Sequence, residues 1–259
     1  MGIGRRKFIK IAGLTTAAGI LGRYPFEALA AGDESAGTTA GQQPLTGKRW
    51  AMVIDLKKCK QKEGCRDCIT ACNTIHNIPQ FDNPKDEIKW IWKEPYEHAF
   101  PNKENEYLSD ELKDGNVLLL CNQCDNPPCV RACPTQATFK RDDGIVMMDM
   151  HRCIGCRYCM AACPYGSRSF NWRDPRPFIK NINPDYPTRM RGVVEKCDFC
   201  AERLAVGKIP ACVEACPEKA MAFGDLEDPE SEVRELLRTN FTIRRKPALG
   251  TNPEIYYIV

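Results

Sequence analysis

The 259-residue chain has no apolar run long enough to cross a membrane. The run near its start, residues 11–22, has 12 residues, and the longest later one, residues 117–121, has five. A spanning helix needs about twenty. Charge of one sign is also lacking: 37 basic and 34 acidic side chains leave +3, which excludes the electrostatic footprint of a nucleic-acid binder. Histidine is scarce, and His76, His98 and His151 show no metal-site spacing; each reads as a hydrogen-bonded or surface side chain. There is no Ser/His/Asp constellation, glycine-rich phosphate loop or pair of catalytic carboxylates, so no catalytic centre of the chain's own is expected. Disorder is excluded as well, because 43% apolar content with 27% charge can collapse. The abundant residue is cysteine. All sixteen fall between Cys59 and Cys216, in four groups of four.

The start of the chain combines Arg5, Arg6, Lys7 and Lys10 with the apolar run and then Ala28-Leu29-Ala30. A charged region, a short apolar stretch and a small-residue cleavage site make an export signal. Paired arginines followed by Phe8 and Lys10 resemble the twin-arginine type, which carries folded proteins and so suits a cofactor inserted before crossing. Residues 1–30 are therefore expected to be a signal peptide and 31–47, rich in Gly, Ala, Thr and Ser, a flexible leader. Cleavage after Ala30 would remove five basic residues and Glu27, bringing the formal charge from +3 to −1. The expected location is peripheral, on the extracytoplasmic face of the cell membrane.

The motifs are Cys59-x5-Cys65-x2-Cys68-x3-Cys72, Cys121-x2-Cys124-x4-Cys129-x3-Cys133-Pro134, Cys153-x2-Cys156-x2-Cys159-x3-Cys163-Pro164 and Cys197-x2-Cys200-x11-Cys212-x3-Cys216-Pro217. The third is the unmodified bacterial ferredoxin run. Cysteines three apart on a tight turn direct several sulfurs into one small volume, where each thiolate can take one iron of a cubane cluster. The fourth cysteine lies a helical turn further on and serves the other cluster of a pair. A disulfide scaffold is the ordinary reading of an exported, cysteine-rich chain, but it does not require four repeats of one quartet. Zinc ribbons share the paired knuckles but have no use for a third cysteine and a Cys-Pro ending. Four [4Fe-4S] clusters are expected.

The flanks indicate which motifs pair. The second and fourth continue as Cys-Pro-x-x-Ala and a strand, at residues 138–140 and 221–223. The first and third are preceded by an apolar strand ending in Asp-x3-Cys, at residues 51–55 and 145–149. The second and third then form one ferredoxin module around the turn Asp142-Asp143-Gly144, and by elimination the fourth pairs with the first. The expected fold is α+β: two interleaved bacterial-type 2[4Fe-4S] ferredoxin modules, one inserted in the other, with long connecting loops. The expected ligand sets are Cys59/Cys65/Cys68/Cys216, Cys197/Cys200/Cys212/Cys72, Cys121/Cys124/Cys129/Cys163 and Cys153/Cys156/Cys159/Cys133. Without cysteine the apolar share falls to about 37%, thin for a core of this size, so the clusters are expected to supply part of the interior.

The expected organisation is the first half of the outer module with an insertion (48–117), the inner module (118–170), a docking loop (171–196), the second half of the outer module (197–226), and a C-terminal helix and tail (227–259). Alternation over residues 88–100 predicts a strand packing over the first module. Met147, Met148 and Met150 are expected in the core, and residues 230–238 in a short surface helix.

The run 121–129, Cys-Asn-Gln-Cys-Asp-Asn-Pro-Pro-Cys, and residues 249–253, Leu-Gly-Thr-Asn-Pro, with Tyr256 and Tyr257 resemble the four-cluster iron–sulfur subunits of the dimethyl-sulfoxide-reductase and polysulfide-reductase type. The likeness covers nearly all of residues 48–259. The stretched first motif ending at residues 71–77, the run 169–177 and the run 187–197 look closest to one branch. That branch is the exported iron–sulfur subunit of the sulfite-reductase-associated, Hdr-like menaquinol oxidoreductase membrane complex. The resemblance implies electron transfer between a quinone-reactive integral membrane subunit and a multihaem cytochrome c, with haem b and heterodisulfide-reductase-like subunits in the same complex. The alternative within electron transfer is the relay subunit of a molybdopterin reductase. An exported disulfide-rich structural protein is the alternative of another class. The chain departs from the ferredoxin pattern at the five-residue gap after Cys59 and at Asn73, where a proline would follow Cys72.

Overall fold

The computed structural model describes residues 43–103, 107, 109–113 and 115–259. The expected signal peptide and residues 31–42 of the expected leader lie outside the described residues. In chain order the elements are β1 (Trp50–Asp55), α1 (Leu56–Lys60), α2 (Asp67–Ile75), β2 (Ile91–Pro95), α3 (Tyr96–Ala99), α4 (Asp110–Lys113), β3 (Asn116–Leu120), α5 (Pro128–Arg131), β4 (Thr138–Lys140), β5 (Val146–Met148), α6 (Tyr158–Ala161), β6 (Ser169–Phe170), β7 (Val194–Glu195), α7 (Ala201–Leu204), α8 (Ala211–Glu214), β8 (Met221–Asp225), α9 (Glu232–Thr239), β9 (Thr242–Ile243) and β10 (Ile255–Ile258). No helix among the described residues is long and apolar enough to cross a membrane.

The main sheet has the order β8-β1-β10-β9. β1 is buried on both faces, which explains its unbroken apolar sequence. Trp50, Met52 and Ile54 enter the large core, whereas Ala51 and Val53 meet Val233 of α9 and Leu226. β1 pairs antiparallel with β8, from Trp50 opposite Asp225 to Ile54 opposite Met221. On its other side it pairs parallel with β10, Met52 opposite Ile255. The strands flanking the first and fourth cysteine motifs are thus neighbours across most of the chain. The inner hairpin forms as well: Thr138 lies opposite Met148, and the turn closes through Gly144 N–H to the Arg141 carbonyl at 3.1 Å, with Gly144 at φ +86°.

Two expectations need correction. Residues 88–100 are not one strand: β2 stops at Pro95, which has no amide to continue a ladder, and residues 96–99 coil into α3. β2 pairs with β3, and Trp90, Ile91 and Trp92 are buried in the large core. The segment 227–259 is more than a helix and tail, because β10 sits inside the main sheet with Ile255 and Tyr257 fully buried. The three methionines are half-buried; Met147 and Met148 pack against two different cores.

The helix α9 begins where Ser231 accepts a hydrogen bond from the Arg234 amide at 3.3 Å, an ordinary N-cap. It lies close on the sheet because position 224 has no side chain. A Cβ there would sit 3.3 Å from Val233 Cγ2 and 3.5 Å from Ser231 Cβ. The substitution Gly224→Val is expected to overpack this contact and lower stability by about 1–3 kcal/mol, read as a reduced unfolding midpoint of the anaerobically purified protein.

Candidate metal centre

All sixteen cysteines are free, and the fold gathers them into four groups. In the first, Asp55 caps α1 by accepting from the amides of Lys57 at 2.9 Å and Lys58 at 3.0 Å, which positions Cys59. Cys65 follows the left-handed Gly64, Cys68 lies on α2, and Cys216 follows α8. These four thiols line one cavity with Leu118 and Met221. Burial, then the neighbouring thiols Cys212, Cys59, Cys216 and Cys65, push Cys68 up to about 12.

Cys72 stands one turn after Cys68 on α2 but faces another group. Burial raises its thiol well above the ordinary value, and Cys197, Cys212 and Cys200 add to this. Cys200 sits in a left-handed conformation immediately before α7, and Cys212 lies on α8, which packs against α2. Cys212 is raised to about 11, chiefly by burial.

Cys121 ends β3, Cys129 is on α5 and Cys163 follows α6. Cys124 is pushed up to about 12 by burial and by Cys121, with Cys129 and Cys163 as further charged neighbours. The stretch 249–253 covers this group: the amides of Asp125 and Asn126 donate to the carbonyls of Asn252 and Thr251 at 2.8 and 3.0 Å.

In the last group Cys159 of α6 is raised by burial, against the pull of Arg168, with Cys129, Cys133 and Cys153 as its thiol neighbours. Cys156 is half-buried in the same turn. That turn is pinned by Gly155, at φ +69°, where a Cβ would lie 2.5 Å from the Gly192 carbonyl oxygen. The thiols of the first three groups neighbour one another, as do Cys133, Cys153 and Cys159 in the last.

Buried thiols that raise one another's proton affinity cannot all ionise unless a cation compensates them. Iron in a cubane core is such a cation, and the donor set is of the right kind and number for it. A second observation points the same way. Arg168 is buried beside Cys129, Cys159 and Cys121, and its Nη2 has no protein partner. The residues fit the group.

The loop 171–196 is anchored by a polar network that the sequence does not announce. Glu195, fully buried, pairs with Arg189 Nη2 at 2.8 Å and accepts from Trp90 Nε1 at 3.0 Å. Arg189 donates to the carbonyls of His76 and, at 3.0 Å, Asn77. His76 is buried, stacks on Trp90 at 4.6 Å and meets Glu202 at 3.0 Å; His98 and His151 are exposed. His76, Cys200 and Glu202 hold donor atoms within 4.8 Å of one another. Because Cys200 belongs to a thiol group and His76 is bonded to Glu202, they form the wall of that group.

Sequence reasoning also missed Gln123 and Lys196. Gln123 donates to the Cys197 carbonyl at 2.8 Å and accepts from the Val146 amide at 2.8 Å, bracing the second, third and fourth motifs together. The one available signal was the charged pair Glu195-Lys196 placed between apolar Val193-Val194 and Cys197.

This arrangement defines an iron–sulfur protein of ferredoxin type, and residues 117–176 and 183–226 match the 4Fe-4S dicluster domain. The chain is 41% identical to the Hdr-like menaquinol oxidoreductase iron-sulfur subunit 1 of Archaeoglobus fulgidus, over 98% of this chain and 97% of that protein. It is 38% identical to the menaquinone reductase iron-sulfur cluster-binding subunit of Nitratidesulfovibrio vulgaris, over 81% and 88%. Identity to the iron-sulfur subunit of the arsenate respiratory reductase of a Shewanella species is 37%, over 81% and 96%. The chain belongs to this family of iron–sulfur subunits of oxidoreductase complexes.

Glu195→Gln should leave Arg189 as an unpaired buried charge, a loss of about 3–5 kcal/mol. Thermal unfolding of the loaded protein checks this, and an unchanged midpoint would show that the pair does not hold the loop.

Proposed function

We propose that the chain is an electron-transfer subunit carrying four [4Fe-4S] clusters on two interleaved ferredoxin modules. The ligand sets are Cys59/Cys65/Cys68/Cys216, Cys72/Cys197/Cys200/Cys212, Cys121/Cys124/Cys129/Cys163 and Cys133/Cys153/Cys156/Cys159. When bound, such clusters supply one-electron storage and transfer. The chain's own residues bind them through thiolates and exclude water with apolar neighbours such as Leu118 and Met221.

The observation that carries this reading is the contiguity of the thiol groups. Cys68 neighbours Cys212, Cys197 neighbours Cys121, and Cys159 neighbours Cys129. These neighbours support a row of four groups, the arrangement that carries charge from one end to the other. Interleaving is supported by the pairing of β1 with β8 around the β4–β5 hairpin.

The partners fitting this role are a menaquinol-reactive integral membrane subunit and a cytochrome c. The name of the Archaeoglobus relative, which aligns along nearly the whole chain, supports the first, with haem b and heterodisulfide-reductase-like subunits completing the complex. The twin-arginine-like start supports a peripheral position on the extracytoplasmic face, with residues 171–196 as the proposed docking loop. A molybdopterin reductase relay is the second reading, favoured by the relative from the arsenate respiratory reductase. Isolation of the native complex and identification of its subunits separates the two.

Anaerobically purified protein should contain about sixteen irons and as many acid-labile sulfides per chain; a colourless chain without either would overturn the reading. Cys72→Ser should disturb the cluster shared with Cys197, Cys200 and Cys212. Loss of the cluster of Cys59, Cys65 and Cys68 in its place, seen by electron paramagnetic resonance, would refute the exchange of fourth cysteines.

A further inference from the structure

Two cations are buried among the thiol groups with no carboxylate paired to them. Lys196 is 1% exposed. Its ammonium donates to the Val146 carbonyl and, at 2.8 Å, to the Cys197 carbonyl, and it lies beside Cys121. It therefore joins the backbone at Cys197 to the thiol of Cys121. Arg168 is 5% exposed. Its Nη1 donates to Thr138 Oγ1 at 3.1 Å and lies 3.9 Å from Met148 Sδ, while Nη2 has no protein acceptor. Cys129 and Cys121 of one group and Cys159 of the next are its charged neighbours. It stands between those two groups in turn.

Burying a cation against neutral acceptors alone is costly, and proteins avoid it unless an anion compensates. Arg189 illustrates the ordinary solution, since its guanidinium is paired with buried Glu195. Among the described residues neither Lys196 nor Arg168 forms an ion pair with a carboxylate, although Asp198 lies near enough to Lys196 to feel its charge. The acidic groups beside Arg168 are all sulfurs, and beside Lys196 they are the Cys121 sulfur and Asp198, to which it is not bonded. A cubane held by four thiolates is negative and becomes more so on reduction, so a fixed cation beside it stabilises the reduced form more than the oxidised one.

We propose that Lys196 and Arg168 are positioning charges that have the clusters as their counter-ions, each raising the reduction potential of the two clusters it stands between. This rests on the four-cluster reading and goes beyond it. The quartet of Cys121, Cys124, Cys129 and Cys163 lies between both cations, whereas the quartet of Cys59, Cys65, Cys68 and Cys216 adjoins neither. The consequence is a pattern over the row.

The experiment is a redox titration of the loaded full chain, followed by electron paramagnetic resonance, for wild type, Lys196→Met, Arg168→Met and Arg168→Lys. In each Met variant the reduced-to-oxidised ratio of two of the four steps should fall at least about tenfold at fixed ambient potential, about 59 mV for a one-electron couple. One step should move in both variants and one in neither, and Arg168→Lys should titrate like wild type. Unchanged potentials in Met variants that keep their iron would overturn the proposal, as would an equal shift of all four steps. Should the Met variants lose their clusters, retention of iron in Lys196→Arg and Arg168→Lys supports the counter-ion role. Equal loss in the charge-keeping variants refutes it. A wild-type chain lacking about sixteen irons would refute the cluster reading itself, separately from any variant.

Discussion

The constraint on which the structure depends is the gathering of sixteen thiols, eight of them buried, against the edge of an apolar core built around β1, β2 and β3. The helices that carry or adjoin them are short, most of them a single turn, too short to be stable alone. What holds them is what lies between them. The buried thiols of one group raise one another's proton affinity, so the protein alone gains nothing by assembling them. An iron–sulfur core reverses that sign, because it binds the thiolate form and converts crowding into coordination. Folding and loading are then one process, which accounts for a fold built mostly from turns.

Topology turns four local motifs into one row. α2 carries Cys68 beside one group and Cys72 beside the next, a helical turn away, and α8 with the turn after it does the same with Cys212 and Cys216. Each helix thereby belongs to two sites at once and fixes the spacing between them. Across α5 and α6, Cys163 neighbours Cys121 and Cys133 neighbours Cys159. Between these pairs the link is Gln123, which bonds to Cys197 and Val146, while β10, the last strand, locks beside β1. The parallel placement of β10 lets the chain's end close over the groups, with residues 249–253 covering Cys124 on the way.

The elements legible in the sequence were those specified by local chemistry. Cysteine spacing marked the thiol groups, and apolar stretches ending in Asp marked β1 and β5. The turn Asp142-Asp143-Gly144 marked the inner hairpin, because its residues tolerate the backbone that the turn requires. What could not be read depends on partners remote in the chain. Residues 255–258 look like any apolar tail until β1 is seen to need a second neighbour. Residues 96–99 alternate with the preceding strand, yet form a helical turn because Pro95 ends the ladder. Glu195, Arg189 and Trp90 make sense only together, and they are 105 positions apart at the extremes. Lys196 shows only as a charge beside Glu195 in an apolar stretch, and its role is set by a carbonyl 50 positions away.

The loop 171–196 shows two kinds of side chain sorted by depth. Its inward residues, Asn171, Arg189 and Glu195, are buried and bonded to β2's approach and to the end of α2. Its outward residues include Trp172 and Met190, about half exposed, with Arg157 over the Trp172 ring at 4.7 Å. Arg157 itself lies between Cys156 and Cys159. The turn that carries Cys156 and Cys159 therefore shares an aromatic and cationic surface with the loop. A buried ion pair holds the loop from beneath, while its aromatic and cationic face stays open to solvent, a surface chemistry that a partner can meet.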